Sequence, residues 1–271
     1  MTASTIDEVL PVVVRVMKQV GDFQCRHFRQ MPAGSGDEKS QREFVSEVDI
    51  QSERQLIEGL KHRLPDVGFF GEETGRQGNQ QRVWIIDPLD GTTNFLSGLD
   101  QFSISVALVD QGLPVLGVVY KPVTSEWFTA TQGTGFQHNN QIPAVIPFNL
   151  QLSQALIGTG FPYRSPDLAG SFFPASESIL YASRGIRRFG SAALDLSYLA
   201  AGYLQGFWES DLQPYDVAAA LLFLQLRGCL VTNERGSKFD MFNDRILVAG
   251  WPSVHQELLP RVSEFYATHR E

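Results

Sequence analysis

Asp87 and Asp90 stand three residues apart in RVWIIDPLDGTTNF, residues 82–95, and two acids so close repel each other unless a cation shares them. A divalent metal is the usual answer. Hard ions such as magnesium take carboxylate and backbone carbonyl oxygens and keep waters that a substrate can replace. Directly after the acids, Gly91, Thr92 and Thr93 offer backbone N–H groups at a turn or helix start, the setting in which phosphate is held. Further acids are spread through the chain. Glu72 and Glu73 follow a short apolar run at 68–70, Asp49 lies near a helix start, and Asp216 follows Pro214 in the first turn of another helix. Singly, Asp49 and Asp216 read better as capping acids at the positive end of a helix dipole than as site residues. Together, acids and glycine–threonine amides are the equipment of metal-assisted phosphoryl transfer to water.

Other chemistries lack their signatures. There is no GxxxxGK[ST], no HExxH and no GxSxG, and the two GTGF stretches have no GxGxxG spacing. Cys25 and Cys229 form no CxxC and have no close His, which predicts two buried thiols rather than a zinc site or a disulfide framework.

Strand and helix patterns must position these groups. The apolar run at 83–86 predicts a buried strand that stops at the charge of Asp87, with Pro88 denying a ladder donor. Residues 56, 57, 60 and 64 mark a helix that begins near Asp49 and ends at Pro65. An opening helix is predicted from the spacing of Ile6, Val9, Leu10, Val13, Val16, Met17 and Val20, with Thr5 and Glu8 as a capping box. Residues 31–42 lose all apolar periodicity and read as a mobile surface loop, from which Lys39 could visit a site.

Strands are predicted at 102–109, 115–120 and 127–130, joined as hairpins. The proline-bearing run 139–149 reads as a linker, dividing the chain into an N-terminal unit, 1–150, and a C-terminal unit, 151–271. In the second unit, strands at 155–159, 206–209, 230–232 and 246–249 alternate with helices. Ser191 starts one that ends at Gly202, Pro214 starts another, and Ser253 with Gln256 fits a capping box for the last. Acids at the ends of neighbouring strands are how open α/β sheets assemble sites.

Composition bounds the rest. The chain has 271 residues, 43% hydrophobic and 19% charged, enough for one large domain or two smaller ones. Apolar runs are too short to span a membrane and the first residues lack the basic start of a signal peptide, so a cytoplasmic protein is expected. A net charge of −8 argues against a general nucleic-acid surface. A phosphorylated substrate would then need local metal cations.

DPLDGTTNF at 87–95, GEE at 71–73, VSEVD at 45–49 and YDVAAA at 215–220 together resemble the inositol monophosphatase family. GFPYR at 160–164, RRFGSAALDL at 187–196 and GYLQGFWE at 202–209 extend the resemblance, in family order, over nearly the whole chain. It implies a layered αβαβα sandwich shared with fructose-1,6-bisphosphatase, a homodimer, and lithium-sensitive hydrolysis of small phosphate monoesters with two or three magnesium ions, for which manganese can substitute. By the matching motifs, Glu72, Asp87, Asp90, Asp216 and the Leu89 carbonyl would hold the metals. Glu72 and Asp87 would fix the ion that activates water, and Asp87, Asp90 and Asp216 the ion that stabilises the leaving alkoxide. Thr92 and Asp49 would orient and deprotonate the water, and Gly91, Thr92 and Thr93 would hold the phosphate. Ser191, Ala192, Ala193 and Glu209 match the substrate-binding positions.

The resemblance implies myo-inositol-1-phosphate as substrate, with histidinol phosphate or a sugar bisphosphate as alternatives. It also admits a role of another class, because bacterial members of the extragenic-suppressor type are associated with RNA polymerase. Tyr215, Asp211 and Gln205 depart from the family pattern. Asp211 would add an acid near the substrate wall and puts the identity of the alcohol in doubt.

Overall fold

A computed structural model describes residues 6–30, 37–40, 43–144 and 149–266, the side chains of 37–40 and 43–45 excepted. Thr5 and the Lys39 side chain therefore lie outside the described residues. The pair β1 (Asp37–Ser40) and β2 (Glu43–Val45) forms a small antiparallel ribbon, and β1 falls where the sequence predicts loop. Seven further strands make one sheet. They are β3 (Gly68–Gly71), β4 (Gly75–Gln77), β5 (Arg82–Asp90), β6 (Ser103–Asp110), β7 (Leu113–Lys121), β8 (Glu126–Thr131) and β9 (Gly135–His138), in the order β4-β3-β5-β6-β7-β8-β9. Only β3 and β5 run parallel.

Both faces of this sheet are covered, and the pleat sorts its side chains accordingly. Trp84, Ile86, Ile104, Val106, Leu108, Leu116 and Val118 pack with Val13, Met17 and Val20 of the helix Leu10–His27 and Leu56 and Leu60 of the helix Glu47–Lys61. Val83, Ile85, Ala107, Val109 and Val119 point the other way, onto the helices Ala192–Ala201 and Pro214–Arg227. That approach is close because the facing residues are small. A Cβ on Gly117 would lie 2.8 Å from the Ala219 carbonyl, so only glycine lets the second helix sit there.

A five-stranded sheet closes over the far side of those two helices. It consists of β10 (Leu156–Thr159), β11 (Gly185–Arg187), β12 (Gly206–Ser210), β13 (Leu230–Thr232) and β14 (Ile246–Gly250), in the order β11-β10-β12-β14-β13. Phe207, Leu247 and Ala249 join the central cluster, whereas Trp208, Ile246 and Val248 pack on the helices Ala169–Ala182 and Pro252–Tyr266. The layers are thus helix, sheet, helix, sheet, helix, and the fold is the αβαβα sandwich. No helix among the described residues is long and apolar enough to cross a membrane.

Several expectations are corrected. β5 does not stop at Asp87: it runs through Pro88 to Asp90, because its register against β6 shifts between Asp87↔Ser105 and Asp90↔Ser103 and the bulge takes up the missing donor. The helix Ala169–Ala182 was not expected, since Pro174 lies inside it and Phe173, Leu180 and Tyr181 are exposed. Ser253 is no cap; it lies inside the helix Pro252–Tyr266 and its hydroxyl donates to the Leu150 carbonyl. Cys229 is buried but Cys25 is exposed.

Candidate active site

The bulge in β5 aims its two acids at the same place. Asp87, Asp90 and Asp216 each bring a carboxylate oxygen within 4.8 Å of the others. Asp216 arrives from the start of the helix Pro214–Arg227, whose Pro214 is preset for a first turn and whose approach to the sheet Gly117 permits. Its Oδ2 accepts the Gln213 N–H at 2.6 Å and Arg164 Nη1 at 2.9 Å. Glu72 lines the same cavity, at the end of β3, and its N–H donates to the Ile86 carbonyl of β5 at 3.2 Å.

These acids are held against their own repulsion. Burial pushes Asp87 well above the usual carboxylate range, and Glu72, Asp90 and Asp216 push it further, while the Leu89 N–H opposes them. Asp90 is pushed up to about 7 by burial and by Asp216, although Ser191, Ala193 and Arg164 all favour its charged form. A cluster of buried carboxylates that resists ionisation on its own is a cluster that a cation completes. The donor set is all hard oxygen, with no His or Cys in the group, which fits magnesium or manganese and not zinc.

Asp49 sits at the third position of its helix and is buried. Its Oδ2 accepts the Ser46 N–H at 2.9 Å and the Ser46 hydroxyl, and its Oδ1 accepts the Thr92 hydroxyl at 2.8 Å. The capping acid and the functional candidate are therefore one residue with two oxygens in use. Thr92 Oγ1 also lies 3.1 Å from the Leu89 carbonyl. Leu89, Gly91, Thr92 and Thr93 line the cavity; Asp49 does not, and reaches it only through Thr92.

Of the residues matched to substrate binding, Ser191, Ala192 and Glu209 line the cavity and Ala193 is fully buried. The Ser191 hydroxyl and the Ala193 N–H both donate to Asp90 Oδ2, at 2.6 and 2.8 Å. Glu209, on β12, packs so tightly on Gly160 that a Cβ there would lie 1.8 Å from Glu209 Oε1. Burial pushes Glu209 up to about 8, with Asp216 and Asp90 adding to it and Arg188 and Arg164 opposing.

Asp211 corrects an expectation. It is absent from the residues lining the cavity, and Arg245 holds both its carboxylate oxygens at 2.8 and 2.9 Å. Its backbone is left-handed, with φ of 53°, a region that favours glycine. Gln205 ties the turn before β12 to β10: its Oε1 accepts the Leu156 N–H at 2.8 Å and its Nε2 donates to the Gly202 carbonyl at 2.7 Å. Tyr215 packs edge-on against Phe70, with ring centroids 6.0 Å apart.

Sequence reasoning gave no role to several residues that the fold brings to the site. Arg164, Arg188 and Asp195 line the cavity, and Arg188 lies over the rings of Phe161 and Tyr163 at 5.7 and 5.3 Å. Glu53 is fully buried and accepts the N–H groups of Glu73 and Thr74, each at 2.9 Å, so it fixes the turn that carries Glu72. Gln24, also buried, donates to the Pro88 carbonyl at 2.7 Å. For the last two a signal existed: each is a polar residue on the apolar stripe of its helix, four after Val20 for Gln24 and three before Leu56 for Glu53.

Comparison with known proteins extends these observations. Residues 5–266 match the model of the inositol monophosphatase family. An inositol-1-monophosphatase of Rhizobium meliloti is 40% identical over 84% of the chain and 86% of its own length. A Nus factor SuhB of Xylella fastidiosa is 34% identical over 86% of the chain and 85% of its own length. Among solved structures, the extragenic suppressor protein suhB of Bartonella henselae superimposes with a TM-score of 0.88 at 34% identity, covering 95% of this chain and 99% of that one.

Proposed function

The chain belongs to the inositol monophosphatase family and is a phosphatase, and on that premise we propose that it hydrolyses myo-inositol-1-phosphate to inositol and phosphate with magnesium. The observation that carries the substrate is Glu209. It faces the cavity that also holds Asp87, Asp90, Asp216 and Thr92, where a carboxylate accepts hydrogen bonds from adjacent hydroxyls of a polyol. A substrate lacking those hydroxyls would leave it desolvated and unpaired.

Asp87, Asp90, Asp216 and Glu72, with the Leu89 carbonyl, would hold the magnesium. When bound, magnesium supplies the charge that polarises the phosphate, makes a water more acidic and offsets the alkoxide that leaves. The chain's own groups supply orientation and proton transfer. The Thr92 hydroxyl, held by Asp49, would fix the attacking water, and Asp49 Oδ1 would receive its proton through that hydroxyl. Gly91, Thr92 and Thr93 would donate to the phosphate from the start of the helix Thr92–Leu96.

Histidinol phosphate loses a support, because Asp211 is turned to Arg245 and not to the substrate wall. A second reading rests on the relatives that carry the name Nus factor: association with the transcription machinery, which a pull-down with RNA polymerase tests. A homodimer is likewise proposed, and the exposed Phe173, Leu180 and Tyr181 on one face of a helix support it. A panel of phosphate esters read by released phosphate tests the substrate. A rate on myo-inositol-1-phosphate no higher than on phenyl phosphate would overturn it.

A further inference from the structure

Asp195 lines the cavity and is 1% exposed. It lies in the helix Ala192–Ala201, where neither capping nor metal ligation gives it a task. The Phe189 N–H donates to its carboxylate, and the Phe189 carbonyl is itself fixed by Asn94 Nδ2 at 2.8 Å, so this side of the carboxylate is anchored. Its Oδ1 is buried and accepts no hydrogen bond among the described residues. A buried carboxylate oxygen without a donor is costly, and the cost is recovered if a ligand brings the donor. Burial pushes Asp195 well above the usual carboxylate range and Glu209 and Asp90 add to that, while Arg188, which lines the same cavity, opposes them.

We propose that Asp195 is a specificity-determining residue of this phosphatase: its carboxylate accepts a hydroxyl of the substrate alcohol, beside the hydroxyls taken by Glu209. The substrate class is then a polyol phosphate whose alcohol presents donors to two separate acids, not merely one diol edge. Arg188 can donate to the oxygen of the hydroxyl that Asp195 accepts, so the pair recognises an uncharged group that is donor and acceptor at once. An ammonium would meet the Arg188 charge in the same place.

This inference rests on the polyol reading above, and the test separates the two. Asp195→Asn keeps the size of the side chain. Because the Phe189 N–H demands an acceptor, the amide must turn its oxygen there and present its NH2 to the cavity, which converts the acceptor into a donor. The expected result is a rise in KM for myo-inositol-1-phosphate of about tenfold with kcat within about threefold, and an unchanged kcat/KM for phenyl phosphate. Melting temperature should hold, since burial already disfavours the charge that the amide removes.

A second arm needs no variant. Among the monodeoxy analogues of inositol phosphate, the wild-type protein should discriminate against one whose missing hydroxyl no longer matters in Asp195→Asn. Equal losses on inositol phosphate and phenyl phosphate would make Asp195 structural, and no loss on either would remove it from recognition. A loss confined to histidinol phosphate would overturn the uncharged class. If the wild-type protein shows no preference for polyol esters at all, the substrate proposal fails, independently of Asp195.

Discussion

The Thr92 hydroxyl lies 2.8 Å from Asp49 Oδ1, across 43 residues of sequence, and the other oxygen of Asp49 is fixed by Ser46. One carboxylate thus closes a helix start and reaches a candidate catalytic hydroxyl. Asp49→Asn should lower kcat by about 10²–10⁴-fold while costing about 1 kcal/mol of stability, the scale of a weakened cap. Thr92→Val should reproduce the kinetic loss. Phosphate release and urea unfolding check this; an active Asp49→Asn protein would show that the pair only builds the helix.

Metal-free protein should become less stable as the pH rises from about 4 towards 8. Asp90 and Glu209 sit at about 7 and about 8 in the fold, against ordinary values of 3.8 and 4.5. The folded state therefore binds more protons than the unfolded one across that window, and stability present below it is lost as each acid ionises. Magnesium should flatten the slope and raise the melting temperature, by about 2.7 kcal/mol of stability at a concentration a hundredfold above Kd. Calorimetry with and without chelator reads it. A metal-free melting temperature that climbs between pH 5 and 8 contradicts the assignment.

Arg164 and a metal would compete for Asp216, whose Oδ2 the guanidinium holds at 2.9 Å. Arg164→Gln should tighten magnesium binding by about 1 kcal/mol, several-fold in Kd, because a partly exposed ion pair no longer has to be broken. Titration calorimetry measures this directly. Weaker binding in the variant would mean that Arg164 shapes the site instead of competing for it.

Glu53 should matter to metal affinity although it lies outside the cavity lining. Glu53→Ala leaves the Glu73 and Thr74 N–H groups without their acceptor and frees the turn bearing Glu72. A loss of about 2–4 kcal/mol in unfolding free energy is expected, with a weaker magnesium titration of the fraction that folds. Unchanged metal affinity would confine Glu53 to stability.

What could be read from sequence was local. The strand at 83–86 declared itself by its β-branched and aromatic run, and Asp216 by the proline two residues before it. The strand's continuation to Asp90 was hidden because Pro88 argues against a ladder, and only pairing with β6 shows that a bulge accommodates it. The direction of Asp211 was hidden for another reason: it depends on Arg245, 34 residues further on, which no local pattern announces. The meeting of Asp216 with Asp87 and Asp90 depends on the absent side chain at Gly117, against which the Ala219 backbone packs, and periodicity alone does not mark that contact. The helix Ala169–Ala182 was blurred by an internal proline and by aromatic residues on its solvent face.

The division of the clustered acids between β5 and the helix Pro214–Arg227 bears on biosynthesis. A ribosome releases Asp87 and Asp90 long before Asp216, and the helix that carries Asp216 lies between two sheets, the second of which is completed only by β14. A nascent chain therefore offers only part of this acid set until that helix has been made and packed, so a cation that needs all three acids would bind only after the two sheets have closed on the helix between them.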